Sequence, residues 1–426
     1  MTASASALAA AQRALPALLS NRPDPVGWAE EEQLAARVVW SHLVEPGDAV
    51  ASRLIAELSP LGALQALEAR DQLSTQDVSA TDFAEGRRRW LPRLSAASIE
   101  TSLDVADRVE ARLLVPGDAE WPQQVDDLGP HAPLALWVRG QPGMLARLQP
   151  SVAMVGARAA TSYGEHVAME VAADLAGSGI PIVSGAAYGI DGAAHRASLA
   201  AGGTTVALLA GGVDRPYPAG HADLIERILV SGAVVSEVPC GSAPTKWRFL
   251  QRNRIIAALA EVTVVVEAGW RSGSLNTASH ALAIGRTVAA VPGPVTSAAS
   301  AGAHRLLREG AICVTNADDV RELLRETDIL EHLDPRGGDV GGRDDQGRDE
   351  RGRDDRGRDE RGDERPPTDD RSRVRDALST RVWRDPDELA RRSGMAATDV
   401  ESVLGLLALS GEVESGFLGW RRVPSR

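Results

Sequence analysis

Apolar positions along this chain keep different periods in different stretches, and each period predicts a different kind of element. Over residues 1–110 they recur every three to four positions, as in 31–44 and 48–58, with breaks at Pro46-Gly47 and Pro60. That spacing puts apolar side chains on one helical face, so a small helical domain is predicted. Short apolar runs at 113–115 and 134–138 flank Pro116-Gly117, Trp121-Pro122 and Pro130, which predicts irregular lead-in strands. From 151 to 316 the pattern changes to brief, near-continuous apolar runs at 152–155, 180–183, 205–209, 234–236, 262–267, 287–291 and 312–314. Amphipathic stretches such as 164–176, 192–201 and 224–231 fall between them. Strands apolar on both faces and separated by helices predict a parallel sheet covered on either side, with ligands at the strands' carboxyl ends.

Residues 336–371 have no such period. Arg, Gly and Asp recur from Gly342 to Gly362 with almost no apolar side chain, so the segment cannot bury enough surface to offset its ordering entropy and is predicted to be a disordered linker. Beyond it, 371–378, 385–393 and 397–409 read as three short helices, followed by a hairpin over 411–423. That is the outline of a winged helix. Its third helix is the recognition helix if the module reads DNA, but it carries Asp399 and Glu401 and no Lys or Arg, so a protein partner is equally open.

Composition narrows the function classes. The chain has 426 residues and a formal net charge of −13. The charge is −7 over residues 1–150, −1 over 151–320 and −5 over 321–426. A duplex binder that works through bulk charge has a basic domain, so any nucleic-acid contact here must be local. One place qualifies: Lys246-Trp247-Arg248-Phe249-Leu250-Gln251-Arg252-Asn253-Arg254 holds four cations and two aromatic rings with no acid. Cations interleaved with rings suit an anionic ligand with flat faces, which single-stranded nucleic acid supplies. The competing reading is an exposed amphipathic helix start. Cys240 and Cys313 lack metal-ligand spacing, which points to a reducing, cytoplasmic setting, and no apolar run approaches the length that spans a bilayer. No membrane role and no metal are expected.

Glycine-rich loops recur at the predicted strand ends. Gly156-Ala157-Arg158 follows the first strand, with Thr161, Ser162, Tyr163 and Gly164 opening a helix; free amides there, with Arg158 and the hydroxyls, suit an anion. This is not the Gly-x-Gly-x-x-Gly fingerprint, and the next strand ends in Ser184-Gly185 where a dinucleotide site has an acid, so no NAD and no other cofactor is expected. Asp191 and His195 stand four apart, either as acid–base machinery or as a helix cap at Asp191 plus a polar contact, and the cap is the expectation. Gly273 among Ser272, Ser274 and Thr277 opens a further phosphate-cradle geometry, and Pro292-Gly293-Pro294 closes the rim. A Ser272 or Ser274 nucleophile with His280 or His304 is conceivable, but no Gly-x-Ser-x-Gly elbow and no metal spacing among the eight histidines demands catalysis.

In order and spacing, Val155-Gly156-Ala157-Arg158, Ser184-Gly185 through Gly189-Ile190-Asp191 with His195, Arg252-Asn253-Arg254-Ile255-Ile256-Ala257, Val266-Glu267-Ala268, Ser272-Gly273-Ser274-Leu275 with Thr277-Ala278, and Ala290-Val291-Pro292-Gly293 resemble the DNA-processing protein A (DprA/Smf) family. The resemblance implies an α/β fold with an extended Rossmann-like parallel sheet core over 111–320, a sterile-alpha-motif-like helical domain over 1–110, and a winged-helix domain over 372–426. It implies a homodimer that binds single-stranded DNA and passes it to the RecA recombinase, as in natural transformation, with no reaction of its own. By the same resemblance Gly156 and Arg158 approach DNA phosphates, and Phe249, Arg252, Asn253 and Arg254 form the pocket. Departures from the family pattern are Leu250 for a proline, Tyr188 for a frequent arginine and Ala157 for a small hydroxyl residue. The full expected DNA-binding set is Gly156, Arg158, Ser162, Lys246, Phe249, Arg252, Asn253, Arg254, Gly273, Ser274 and Thr277. The alternative is a nucleotide-processing enzyme of the phosphoribohydrolase type, although the Pro-Gly-Gly-x-Gly-Thr-x-x-Glu signature is absent.

Overall fold

Residues 2–18, 28–68, 73–333, 370–380, 382–416 and 419–423 are described by the computed structural model of this chain. Nearly all of the predicted linker at 336–371 lies outside these residues. The N-terminal region is helical, as its period predicts: α1 (Ala3–Leu18), α2 (Trp28–Leu43), α3 (Ala49–Ala66), α4 (Ala80–Trp90) and α5 (Ala96–Arg108). Asp48 caps α3 by accepting from the amides of Val50 and Ala51, and the helix breaks at Ser59 (φ 65°), just before Pro60.

The core alternates strand and helix through β1 (Arg112–Leu114), β2 (Leu136–Gly140), β3 (Val152–Val155), α6 (Ser162–Gly177), β4 (Ile182–Ser184), α7 (Ile190–Ala200), β5 (Thr205–Leu209), α8 (Ala222–Ser231) and β6 (Ala233–Ser236). It continues through α9 (Lys246–Leu259), β7 (Val262–Val265), α10 (Ser274–Ala283), β8 (Thr287–Ala290), α11 (Ala301–Arg308), β9 (Ile312–Cys313) and α12 (Ala317–Leu333). The strands form one sheet in the order β1-β2-β6-β5-β4-β3-β7-β8-β9. From β6 to β9 every pairing is parallel, whereas the lead-in strands β1 and β2 add an antiparallel edge, Trp137 pairing with Ser236 and Gly140 with Ala233. The chain steps outward from β3 to β6, then returns through α9 to start again at β7 beside β3. Order therefore reverses between β3 and β7, and the crevice outside their carboxyl ends is where such sheets bind ligands.

Burial explains the apolar runs. Val152 and Met154 of β3 pack with α6, α7 and α12 on one face, while Ala153 and Val155 pack with Ile255, Ile256 and Leu259 of α9 on the other. A third cluster runs from Trp40, Leu54, Phe83 and Trp90 of the N-terminal helices into Trp137, Leu209 and Val234 of the sheet. The helical region therefore shares a core with the sheet across the expected boundary at residue 110. At the other end α12 seats Val320, Leu323 and Leu324 in the core, so the sheet unit runs past residue 320.

Beyond the described core, α13 (Asp370–Ala377), α14 (Pro386–Ser393), α15 (Ala397–Leu409), β10 (Val413–Gly416) and β11 (Gly419–Arg422) build the winged helix. Asp385 caps α14 and Gly394 ends it in the left-handed conformation (φ 68°).

Candidate nucleic-acid interface

The loop after β3 is built by close approach. A Cβ on Gly156 would lie 2.5 Å from Ile190 Cγ1 and 2.9 Å from the Glu267 carbonyl oxygen, so only glycine fits. Ala157 donates its amide to that carbonyl at 2.7 Å. Thr161 caps α6 and donates both its amide and its hydroxyl to the Glu267 carboxylate, each at 2.8 Å. Glu267 is 2% exposed, so it acts as an internal strut between β7 and the β3 loop, leaving Arg158 and Ser162 exposed on the rim.

The loop after β4 differs from its expectation. Gly189 (φ 74°) occupies the cap position of α7 and makes no side-chain bond. Asp191 lies inside the first turn, and its carboxylate reaches back to accept the Gly185 amide at 3.1 Å. The predicted cap at Asp191 is therefore replaced by a clamp on the Gly185 loop. His195 is wholly buried and pairs with Thr205 Oγ1 at 2.6 Å, and burial pushes its pKa down to about 3. Asp191 and His195 serve separate contacts.

Helix α9 sorts the basic cluster. Thr245 caps it, its hydroxyl accepting the Arg248 amide at 3.2 Å, and with Leu250 in place of proline the helix runs unbroken from Lys246. Arg248 turns to Glu45 of the N-terminal region, with contacts of 3.0 and 2.8 Å. Arg254 is 2% exposed and forks onto Glu237 at 2.7 and 2.6 Å, while its Nε donates to the His131 carbonyl. These two arginines are committed to carboxylates inside the fold. Lys246, Arg252 and Arg158 have no ion-pair partner among the described residues. Arg252 donates to the carbonyls of Gly185 and Leu208 at 2.7 and 2.6 Å, with Asp191 supplying only longer-range compensation. Burial pulls its pKa down to about 10, the opposite sign from Asp191, so it remains charged at neutral pH.

Phe249 sits between these free cations. The guanidinium of Arg158 lies 4.8 Å from its ring centroid and that of Arg252 5.7 Å. Asn253 donates to the Gly273 carbonyl at 3.2 Å and so fastens α9 to the loop that opens α10. Gly273 is exposed there, whereas Ser274 and Thr277 are buried at 6% and 1%. Of the expected set, Arg158, Ser162, Lys246, Phe249 and Gly273 reach the rim, Gly156, Arg252 and Asn253 form its floor, and Arg254, Ser274 and Thr277 are taken inside. Sequence reasoning gave Glu267 no role although it stands at the end of the most apolar strand, where an acid must be partnered to stay buried.

A family model described as DNA recombination-mediator protein A matches residues 112–325, and one described as the DprA winged helix domain matches 358–416. A Mycobacterium tuberculosis protein that carries the DprA name is 45% identical over 313 residues, covering 70% of this chain and 78% of its own length. This chain belongs to the DNA recombination-mediator protein A family. Protein Smf of Escherichia coli is 41% identical over 230 residues, 54% of this chain and 60% of that protein. The X-ray structure of DNA processing protein A (DprA) from Streptococcus pneumoniae superposes with a TM-score of 0.55 at 30% identity, covering 68% of this chain and 96% of the other.

In this DprA-family chain the winged helix abuts the start of α9. Asp376 accepts the Lys246 amide at 2.8 Å, Arg373 lies 5.6 Å from the Trp247 ring centroid, and Arg93 donates to the Arg391 carbonyl at 3.0 Å. Glu45, bonded to Arg248 and Arg93, sits at this junction. Burial opposes its charge, but the two guanidinium groups outweigh that and hold its pKa at about 2, against an ordinary 4.5. A depressed carboxylate stabilises the fold above its unfolded pKa, and that stability is lost as pH falls through the folded value. Glu45→Gln is accordingly expected to flatten the loss of stability between pH 4.5 and 2, measured as urea midpoints across that window. An unchanged acid slope would refute the assignment.

Proposed function

We propose that this protein binds single-stranded DNA along the rim of the sheet and acts as a recombination mediator that delivers the strand to RecA. Phosphates lie against Arg158, Lys246 and Arg252 and the exposed backbone near Gly156 and Gly273, and a base stacks against Phe249. The observation that carries this reading is the division of charge around α9: Arg248 and Arg254 meet buried carboxylates, whereas Arg158 and Arg252 converge on one aromatic ring with no carboxylate paired to them among the described residues. A cation held against a ring without an acid is compensated by an anion that has a flat face to offer. The near-neutral charge of the middle of the chain favours this local contact over wrapping duplex. The reading assigns no reaction, cofactor or metal, and includes a homodimer and a cytoplasmic setting. No helix among the described residues is long and apolar enough to cross a membrane.

Fluorescence anisotropy with a labelled oligo-dT of about 30 nucleotides, several site sizes long, tests it against duplex of equal length. Three phosphate-facing cations give an expected slope of about −2 in log K against log salt. Equal affinity for the two forms, or no binding, would overturn the single-strand reading; delivery is then tested by the rate of RecA filament growth on the same strand.

A further inference from the structure

The chain contains three tyrosines, and all three follow the carboxyl ends of parallel strands: Tyr163 in the first turn of α6 after β3, Tyr188 in the loop after β4 and Tyr217 in the loop after β5. None is buried, their exposures being 41%, 48% and 46%. Tyr163 donates its hydroxyl to the Pro292 carbonyl at 2.6 Å, which ties it to the far side of the rim. The Tyr217 ring centroid is 5.5 Å from that of Phe249, and the Tyr188 ring meets His221 edge-on at 4.8 Å. A Cβ on Gly220 would come within 2.6 Å of the Tyr188 hydroxyl, so the glycine leaves room for the ring to lie where it does.

Cations accompany these rings as they accompany Phe249. Arg196 is exposed, its guanidinium 3.4 Å from His221 Nε2, with no carboxylate paired to it among the described residues. Arg215 is exposed beside Tyr217 in sequence and makes only a 3.6 Å contact to its neighbour Asp214. Half-exposed rings with cations beside them offer stacking faces next to sites for phosphate. Tyr217 meets Phe249, which Arg158 and Arg252 flank, and Tyr188 meets His221, which Arg196 flanks, so the charge beside both rings complements a polyanion.

Resting on the single-strand reading above, we propose that Tyr217 and Tyr188 form a second base-stacking subsite, taking the nucleotides next to the one at Phe249, with Arg196 on the intervening phosphate. Stacking acts through the π-face of the base, so its loss is separable from loss of phosphate contacts. Tyr188→Ala and Tyr217→Ala are each expected to weaken oligo-dT binding by at least about fivefold, while Tyr188→Phe keeps parental affinity. Salt slope and thermal midpoint stay at parental values, and an abasic oligonucleotide of the same length binds parent and variants alike. Tyr188 has no ring contact with Phe249 itself, so its variant leaves the first subsite undisturbed. A parent that binds oligo-dT, with alanine variants that bind it equally well, would overturn the subsite alone; so would an equal loss on the abasic strand, which would mean a structural role. A parent that binds no single strand would bring down the underlying reading together with this one.

Discussion

Arg254→Ala is expected to cost about 3–5 kcal/mol of folding stability, a large share of the roughly 5–15 kcal/mol that holds a typical domain together. Arg254 is 2% exposed and makes two contacts, of 2.7 and 2.6 Å, to Glu237, whose side chain is itself only 11% exposed. Removing the guanidinium leaves that carboxylate buried without its counter-charge, which is costlier than never having buried the pair. The pair also carries a joint between units. Glu237 accepts the Gly47 amide at 3.2 Å, and His131, which accepts from Arg254, contacts the Gly47 carbonyl at 3.0 Å. Gly47 has φ 74°, and a Cβ there would lie 2.7 Å from Gln251 Oε1, so the turn between α2 and α3 is shaped to sit on α9. Urea denaturation of parent, Arg254→Ala and the Arg254→Leu/Glu237→Met pair checks this, with the double variant recovering most of the loss. A single-variant cost below about 1 kcal/mol would contradict the buried-pair account, since that is the range of exposed pairs. At a temperature where the single variant remains folded, its oligo-dT affinity should match the parent's, which separates a structural Arg254 from the DNA contact that the family motif implies.

Arg158→Ala is expected to do the reverse, lowering oligo-dT affinity about ten- to a hundredfold with no change in thermal midpoint. Its side chain is exposed and touches the fold through the Phe249 ring, 4.8 Å away, so little folding stability depends on it. A charge-assisted contact to phosphate contributes about 1.5–3 kcal/mol, which converts to that range of affinity. Losing one phosphate contact also lowers the magnitude of the salt slope by about 0.7. Arg252→Ala shifts binding in the same direction but also destabilises, because its guanidinium satisfies the buried carbonyls of Gly185 and Leu208. Binding by Arg158→Ala with parental affinity and slope would remove the rim from consideration as the DNA site.

Much of the site was legible because it depends on backbone chemistry that lies close in sequence. The carboxyl ends of β3, β4 and β7 are marked by Gly156, Gly185 and Gly273, and the parallel order expected from apolar runs places all three loops on one edge. The cap at Asp191 was misread because Asp at the start of a helix usually serves the amides ahead of it, whereas here Gly189 turns the chain and the carboxylate faces Gly185. One signal was present and unused. Arg252 and Arg254 are two residues apart, so on a helix they point about 200° apart and cannot both face one ligand. The rim tyrosines carried no spacing that would have marked them, since only the folded surface shows which rings stay exposed.

The sequence by itself determined the element types, their order, the parallel core, the winged-helix outline and the positions of the glycine loops, because periodicity, turns and close backbone approach are set by neighbouring residues. Tertiary structure decided which cations are free to meet a ligand. Arg248 is neutralised by Glu45, 203 positions away, and Arg254 by Glu237 across a turn of chain, while Arg158, from another strand end, is brought to Phe249. Charge pairing follows distance in space, and that distance exists only once the sheet has assembled and laid α9 across the end of the crevice.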